Sequence, residues 1–228
     1  MEDQQLDFRV ISIGSLSSHE LWQEQVEPRT AHATTTLVRS GDRVILVDPG
    51  LPAEVVIARL AERAGLAAGA VTDVFLTNFR PVHRRGLSAF EHANWLTSEM
   101  ERESIGCQLV EAHRQQEDAE IKGMLEQEIA MLKRFKAAPD RLADQVDLFP
   151  LSGFTPGTCG LLLSHLNATT LIAGDAVATS EHLEQGRVLR GAADAAQARE
   201  SLSEAIEIAD VIVPGHDNML LNPTRRSW

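Results

Sequence analysis

Tyrosine is missing from this 228-residue chain, and aromatic residues of all kinds make up only 4% of it. A core must therefore be built mainly from Leu, Val, Ile and Ala. Cysteine is nearly missing too: Cys107 and Cys159 are the only two and form no CxxC pair. That argues against a disulfide framework or a cysteine zinc site, and for a reducing compartment. No apolar run approaches the length that spans a bilayer, so no membrane partner is expected. A basic surface is lacking as well, since 21 Lys and Arg face 33 Asp and Glu, for a formal net charge of -12. Nucleic acid is disfavoured as a partner, because phosphate contacts need that basic surface. The acidic, polar start at Met1 to Gln5 lacks the basic-then-apolar order of a signal peptide, and a cytoplasmic location is expected. What remains is 43% hydrophobic and 24% charged residues, the balance of a globular protein. The length suits one domain over residues 1–228.

Apolar, β-rich stretches occur at 8–13, 34–38 and 43–47, with Ser40-Gly41-Asp42 as a hairpin turn between the last two. Asp48-Pro49-Gly50 stops the third. Residues 52–64 place Val55, Val56, Leu60 and Ala64 at helical spacing, and Gly65 is the expected stop. Further strands are expected at 71–77 and 94–97. From 99 to 138 the composition turns strongly helical, with Ile121, Leu125, Ile129 and Leu132 as an amphipathic stripe. The stripe packs against its own domain or forms a dimer seam or lid. Strands resume at 146–149, 161–163 and 170–173, a helix follows at 194–209, and 211–213 closes as a strand. Two runs of strands with helices around each suit an αββα sandwich of two sheets. No GxGxxG follows a strand, which speaks against a dinucleotide-binding sheet.

Polar turns follow these strands in order: Asp48-Pro49-Gly50, the loop 77–86 containing Asn78, Arg80 and His83, the loop Gly153-Phe154-Thr155-Pro156-Gly157-Thr158, Gly174-Asp175, and Pro214-Gly215-His216. A rigid sheet can hold such side chains in one cleft. Over nearly the whole chain, this order resembles the metallo-β-lactamase superfamily, whose marks are a DxG turn, a THxHxDH loop, a GHTPGH loop, a GD turn and a late GH. The resemblance implies an αββα sandwich with a helical insertion around 99–138 and a site for one or two metals that activate water.

Carried over residue by residue, the resemblance makes His83, Asp175 and His216 the candidate metal ligands, Asp175 and His216 the candidate catalytic groups, and Asp48 a support behind the loop. The departures are large. Asn78 and Arg80 stand where two histidines belong, Val82 where an aspartate belongs, and Thr158 where the histidine of the GHTPGH loop belongs. Phe154 replaces a further histidine. A dinuclear centre is therefore not expected; the cofactor is none, or one divalent ion, zinc or iron. Asn78, Arg80 and Thr158 become candidates for contacting substrate. Arg80 has no lone pair for a metal but carries a permanent charge. It is expected to occupy or border the vacated metal position and pair with Asp175, which would be costly to bury unpaired.

Among the other charged groups, Arg84 and Arg85 read as solvated helix residues or as part of an anion site with Arg80. His113 and Glu117 read as a solvated face. His19 and His32 are remote candidates for substitute ligands, and Cys159 reads as a small buried hydrophobe. Two functions follow. One is a mononuclear metal-dependent hydrolase of an ester, thioester or lactone, with Arg80 orienting an anionic group. The other is a metal-free, non-catalytic module that binds an anionic small molecule or a protein partner. A homodimer through 99–138 accompanies either. Fold alone does not name the substrate.

Overall fold

A computed structural model describes residues 6–22, 24 and 29–225 of the chain; the Met1 to Gln5 segment lies outside the described residues. Two six-stranded sheets form the centre. The first contains β1 (Asp7–Ser12), β2 (Thr35–Ser40), β3 (Arg43–Val47), β4 (Asp73–Phe75), β5 (Asn94–Thr97) and β6 (Lys136–Ala137), in that order. The second contains β7 (Arg141–Ala143), β8 (Val146–Pro150), β9 (Cys159–Ser164), β10 (Thr169–Gly174), β11 (Val211–Pro214) and β12 (Leu220–Leu221). Strands β3, β4, β5 and β6 run parallel, as do β10 and β11, while the other pairings are antiparallel.

The period-two alternation of each strand builds the layers. Ile45 and Val47 face inward between the sheets with Val38, Phe75, Leu161, Leu163, Ile172 and Val213. Leu46, between them in sequence, points the other way, to join Leu37, Val74, Trp95 and Phe135 under the outer helices. On the second sheet, Leu171, Ala173 and Ile212 turn outward to Leu202 and Ala205. Those two belong to α6 (Ala195–Ile208), whose N-cap Asp194 accepts the amides of Ala196 and Gln197. On the first sheet, α1 (Ala53–Ala64) buries Val56 and Leu60 and ends at Gly65 in the left-handed conformation. The layer order is therefore helix, sheet, sheet, helix.

The strongly helical run from 99 divides into α3 (Glu99–Gln115) and α4 (Ala119–Arg134). Asp118 causes the break by capping the amides of Glu120 and Ile121, a local bond that competes with helix continuation. The stretch ends in β6 rather than helix. Nor does the α4 stripe form an open seam: Leu132 is buried and Leu125 and Ile129 are half-buried, leaving only Ile121 exposed. The strand expected over 71–77 is shortened to β4, and Leu76, Thr77 and Asn78 beyond it lead into the next loop. Among the described residues no helix is long and apolar enough to cross a membrane.

Candidate functional site

Parallel pairing puts the carboxyl ends of β3 and β4 at one edge, and β10 and β11 deliver theirs beside them. Asp48 follows β3, Thr77 and Asn78 follow β4, Asp175 follows β10, and His216 follows β11. The short helix α2 (Pro81–Arg84) carries His83. Backbone bonds bind the two edges directly: the Cys159 amide donates to the Thr77 carbonyl, and the Thr34 amide to the Gly215 carbonyl. Gly174 is in the left-handed region, and a Cβ there would lie 2.4 Å from Thr77 Oγ1. Only glycine lets the two turns approach so closely.

The centre is a buried carboxylate between two imidazoles. His83 Nε2 lies 2.9 Å from Asp175 Oδ2, and His216 Nε2 lies 2.9 Å from Asp175 Oδ1. The Asn78 amide nitrogen donates to Asp175 Oδ2 at 3.0 Å. On its far side His83 Nδ1 lies 3.0 Å from Asp48 Oδ2, and His216 Nδ1 lies 3.0 Å from the His32 carbonyl oxygen. Both of these outer partners only accept, so each Nδ1 donates outward, and both Nε2 atoms face Asp175. Asp48 is itself fixed by the Thr77 amide at 2.9 Å and the Thr77 hydroxyl at 2.7 Å.

Electrostatics couple the group. Burial alone would lower the His83 pKa, but the charges of Asp175 and Asp48 push it up to about 10. Burial alone would raise Asp175. The His83 charge and hydrogen bonds from His216 and His83 instead hold its carboxyl well below the ordinary carboxylate range. Two carboxylates in so dry a place demand positive charge beside them. It comes from protons on the imidazoles or from a cation among them.

Arg80 does not supply it. Asp175 is already satisfied by His83, His216 and Asn78, and the Arg80 guanidinium lies over the Phe154 ring, 4.8 Å from its centroid. The expected Arg80–Asp175 pair is thus replaced by a stacked cation at an exposed position. The backbone accounts for the direction. Arg80 is extended ahead of Pro81, with φ -66 and ψ 147, as a residue preceding proline must be, and Asn78 Oδ1 pins its amide at 3.0 Å.

Arg84 also departs from expectation. Its side chain is buried rather than solvated, donating to the Phe79 carbonyl, stacking on the Phe79 ring and pairing with Glu128 of α4. Arg85 is exposed. Thr158 is buried, and its hydroxyl is used inside its own loop, accepting the Thr155 amide at 2.9 Å and meeting the Thr155 hydroxyl at 2.7 Å.

Sequence reasoning missed Glu101. This fully buried carboxylate accepts the Phe79 amide at 2.8 Å, the Thr155 hydroxyl at 2.6 Å and the Gly157 amide at 3.2 Å. It therefore ties the loop bearing Asn78 to the loop bearing Thr158, and burial pushes its pKa up. The local signal was present but ambiguous. Ser98-Glu99-Met100-Glu101 reads as a capping box, and Ser98 does accept the Glu101 amide, whereas the Glu101 carboxylate turns to the loops instead of the helix end.

The remaining candidates lie outside the centre. His113 pairs with Glu126 of α4 rather than Glu117. His32 Nε2 meets the Ile13 carbonyl. His19 meets Thr179 and Glu181 in the wall of a cavity of about 350 Å³, of which His216 is also a wall. Burial pushes the Cys159 thiol up to about 12, leaving it no thiolate to offer.

The family model described as Metallo-beta-lactamase superfamily matches residues 29–216, a span that contains the whole cluster. The chain belongs to the metallo-β-lactamase superfamily. No match was found among curated proteins. Solved structures of similar fold include a Thermotoga maritima protein provisionally described as a metallo-beta-lactamase. It has TM-score 0.69 and 17% identity, covering 96% of this chain and 100% of that one. A B. thuringiensis enzyme with N-decanoyl-L-homoserine bound at its active site has TM-score 0.63 and 18% identity, covering 95% and 94%. An N-acyl homoserine lactone hydrolase, with its product at the catalytic metal centre, has TM-score 0.64 and 19% identity, covering 95% and 94%. At these identities the likeness is one of fold. Among the described residues of this superfamily member, one group of three could hold an ion: His83, Asp175 and His216, whose ligand atoms lie within 4.8 Å of one another.

Proposed function

We propose that this chain is a hydrolase that holds one divalent ion, zinc or iron, on His83, Asp175 and His216, and that it cleaves a lactone, ester or thioester. The observation that carries the reading is the orientation of the two imidazoles. Each engages an acceptor through Nδ1, Asp48 for one and the His32 carbonyl for the other. This presents both Nε2 atoms toward Asp175, as metal-binding histidines are held in general. Two imidazoles and a carboxylate are a donor set suited to zinc or iron with positions left open.

Among the described residues a second ion finds no comparable donors. The Asn78 amide nitrogen faces Asp175, Arg80 is a cation, and the Thr158 hydroxyl is engaged with Thr155. When bound, one divalent ion supplies Lewis-acid chemistry, activating water and polarising a carbonyl. The chain does the rest. Asp48 and the His32 carbonyl fix the imidazole tautomers, and Asn78 holds Asp175 in place through Oδ2. A carboxylate oxygen of Asp175 would receive a proton released by water, while His216, with Nδ1 engaged by the His32 carbonyl, would serve as a ligand. The buried walls keep the charges effective by excluding solvent. The lactone class is proposed because homoserine lactone hydrolases share the fold. A cytoplasmic location and a small-molecule partner belong to the same reading.

A second reading rests on the distances themselves: at 2.9 Å each Nε2 can hydrogen-bond Asp175 directly. The site is then a metal-free module for an anionic small molecule or a protein. Elemental analysis of freshly purified protein separates the two, joined to a panel of lactones, esters and thioesters followed by mass spectrometry. About one equivalent of zinc or iron with turnover supports the hydrolase. No metal and no turnover after zinc or iron is supplied refutes it, and two equivalents refute the mononuclear site.

A further inference from the structure

We infer that Arg80 and Phe154 form an anion subsite at the rim of the centre, built to take a carboxylate on the ligand. The inference deepens the reading above by naming a substrate group, and it rests on that reading only for its link to turnover.

Three observations carry it. First, the guanidinium lies 4.8 Å over the Phe154 ring. A ring face attracts the cation without taking its N–H groups, and a carboxylate binds a guanidinium through two parallel hydrogen bonds from those groups. Second, Arg80 forms no ion pair among the described residues. The carboxylates of Asp175, Glu101 and Glu128 are engaged by other groups: Asp175 by His83, His216 and Asn78, Glu101 by Phe79, Thr155 and Gly157, and Glu128 by Arg84. An exposed arginine without a partner is ordinary on a surface; one whose guanidinium lies over a buried ring is less so.

The third observation is that both halves of the subsite are braced. The Arg80 amide is bonded to Asn78 Oδ1, and the Phe79 amide beside it to Glu101. Phe154 is nearly fully buried. Its carbonyl accepts the Ala193 amide, and Glu101 takes the next residue's hydroxyl. The brace reaches the centre through one side chain, since Asn78 accepts from Arg80 at one end and donates to Asp175 at the other. A carboxylate on Arg80 would thereby be tied through Asn78 to the centre, which would orient the substrate. Lysine would not substitute, because it neither stacks as a plane nor offers a fork.

The test uses the full chain and two probes, acetate and inorganic phosphate, followed by NMR of the arginine side-chain Nε–H signals and, in every variant, of the backbone amides of residues 79 and 154. The Arg80 signal, assigned as the one missing from Arg80→Gln, should shift saturably with acetate. The acetate affinity should fall about tenfold in Arg80→Lys and vanish in Arg80→Gln. Phe154→Leu, which keeps an apolar side chain but removes the ring, should weaken acetate binding without unfolding the protein. Acetate binding unchanged in Arg80→Gln overturns the proposal, as does no saturable shift in the wild type. Phosphate binding far tighter than acetate overturns the carboxylate assignment. None of these readouts needs a metal, so failure here leaves the hydrolase reading standing, and a metal-free protein that still binds acetate leaves the subsite standing. Where turnover is found, Arg80→Gln should narrow the preference for a carboxylate-bearing ester over its neutral amide analogue by about tenfold.

Discussion

Asp48→Asn tests the tautomer argument at its root. The native carboxylate accepts the Thr77 amide, the Thr77 hydroxyl and His83 Nδ1. Asparagine keeps one oxygen for the Thr77 amide and tolerates the left-handed backbone at this position, where φ is 49, better than most residues. Its NH2 group must then face His83 Nδ1, and two donors cannot meet. His83 is then forced to give up its Nδ1 proton and keep the one on Nε2, where the lone pair for a metal is needed. The change removes one charge-assisted hydrogen bond, which is worth about 1.5–3 kcal/mol. Urea denaturation of metal-stripped protein should show a loss of that size. Zinc affinity, measured by competition with a chelator, should fall about 10- to 100-fold. Asp48→Ala strands the buried His83 charge and should cost more, about 3–5 kcal/mol. Wild-type zinc affinity in a folded Asp48→Asn protein would show that Asp48 does not set the tautomer, and the reasoning behind the metal site would fail with it.

The other predictions concern the ligand set and the clasp between the loops. His216→Ala leaves two ligands, and zinc should no longer survive desalting; a metal still retained would place the ligands elsewhere. Glu101 has a raised pKa in the folded state, so its contribution to stability is full below the ordinary carboxylate value and is lost as pH rises through the folded one. Glu101→Gln should remove that slope, so that the variant gains on the wild type between acidic and neutral pH in chemical denaturation; parallel curves would contradict the burial argument. At Gly157 an added Cβ would lie 2.0 Å from the Glu101 amide nitrogen, so Gly157→Ala should cost about 3 kcal/mol or more. Gly123 on α4 has nothing within 4 Å of that position, and Gly123→Ala should stabilise by about 0.5–1 kcal/mol. Equal melting temperatures for the two alanine variants would count against the placement of Gly157.

Sequence by itself determined the layers and the order of the polar turns. Alternation in 43–47 and 170–173, helical spacing in 52–64 and 194–209, and stops at Gly65 and Asp48-Pro49-Gly50 are local properties, set within a few residues of the chain. The missing donors were equally legible, because Asn78, Arg80, Val82 and Thr158 are read straight from their positions. Tertiary structure alone decided where the side chains went. Motif position alone puts Arg80 in or beside the vacated metal position, but the direction of a side chain follows its backbone and its neighbours. Pro81 extends the chain there, Asn78 and His83 occupy Asp175, and Phe154, more than seventy residues away, offers a ring to lie on. Glu101 looked like half of a helix cap until the loops bearing Phe79 and Gly157 were folded over it. The acceptor that orients His216 is the His32 carbonyl, a group every residue carries and no sequence pattern marks. Burial turns such ordinary polar groups into specific ones, because an unpaired donor or carboxylate there is too costly to leave, and burial exists only once the sheets have closed on each other.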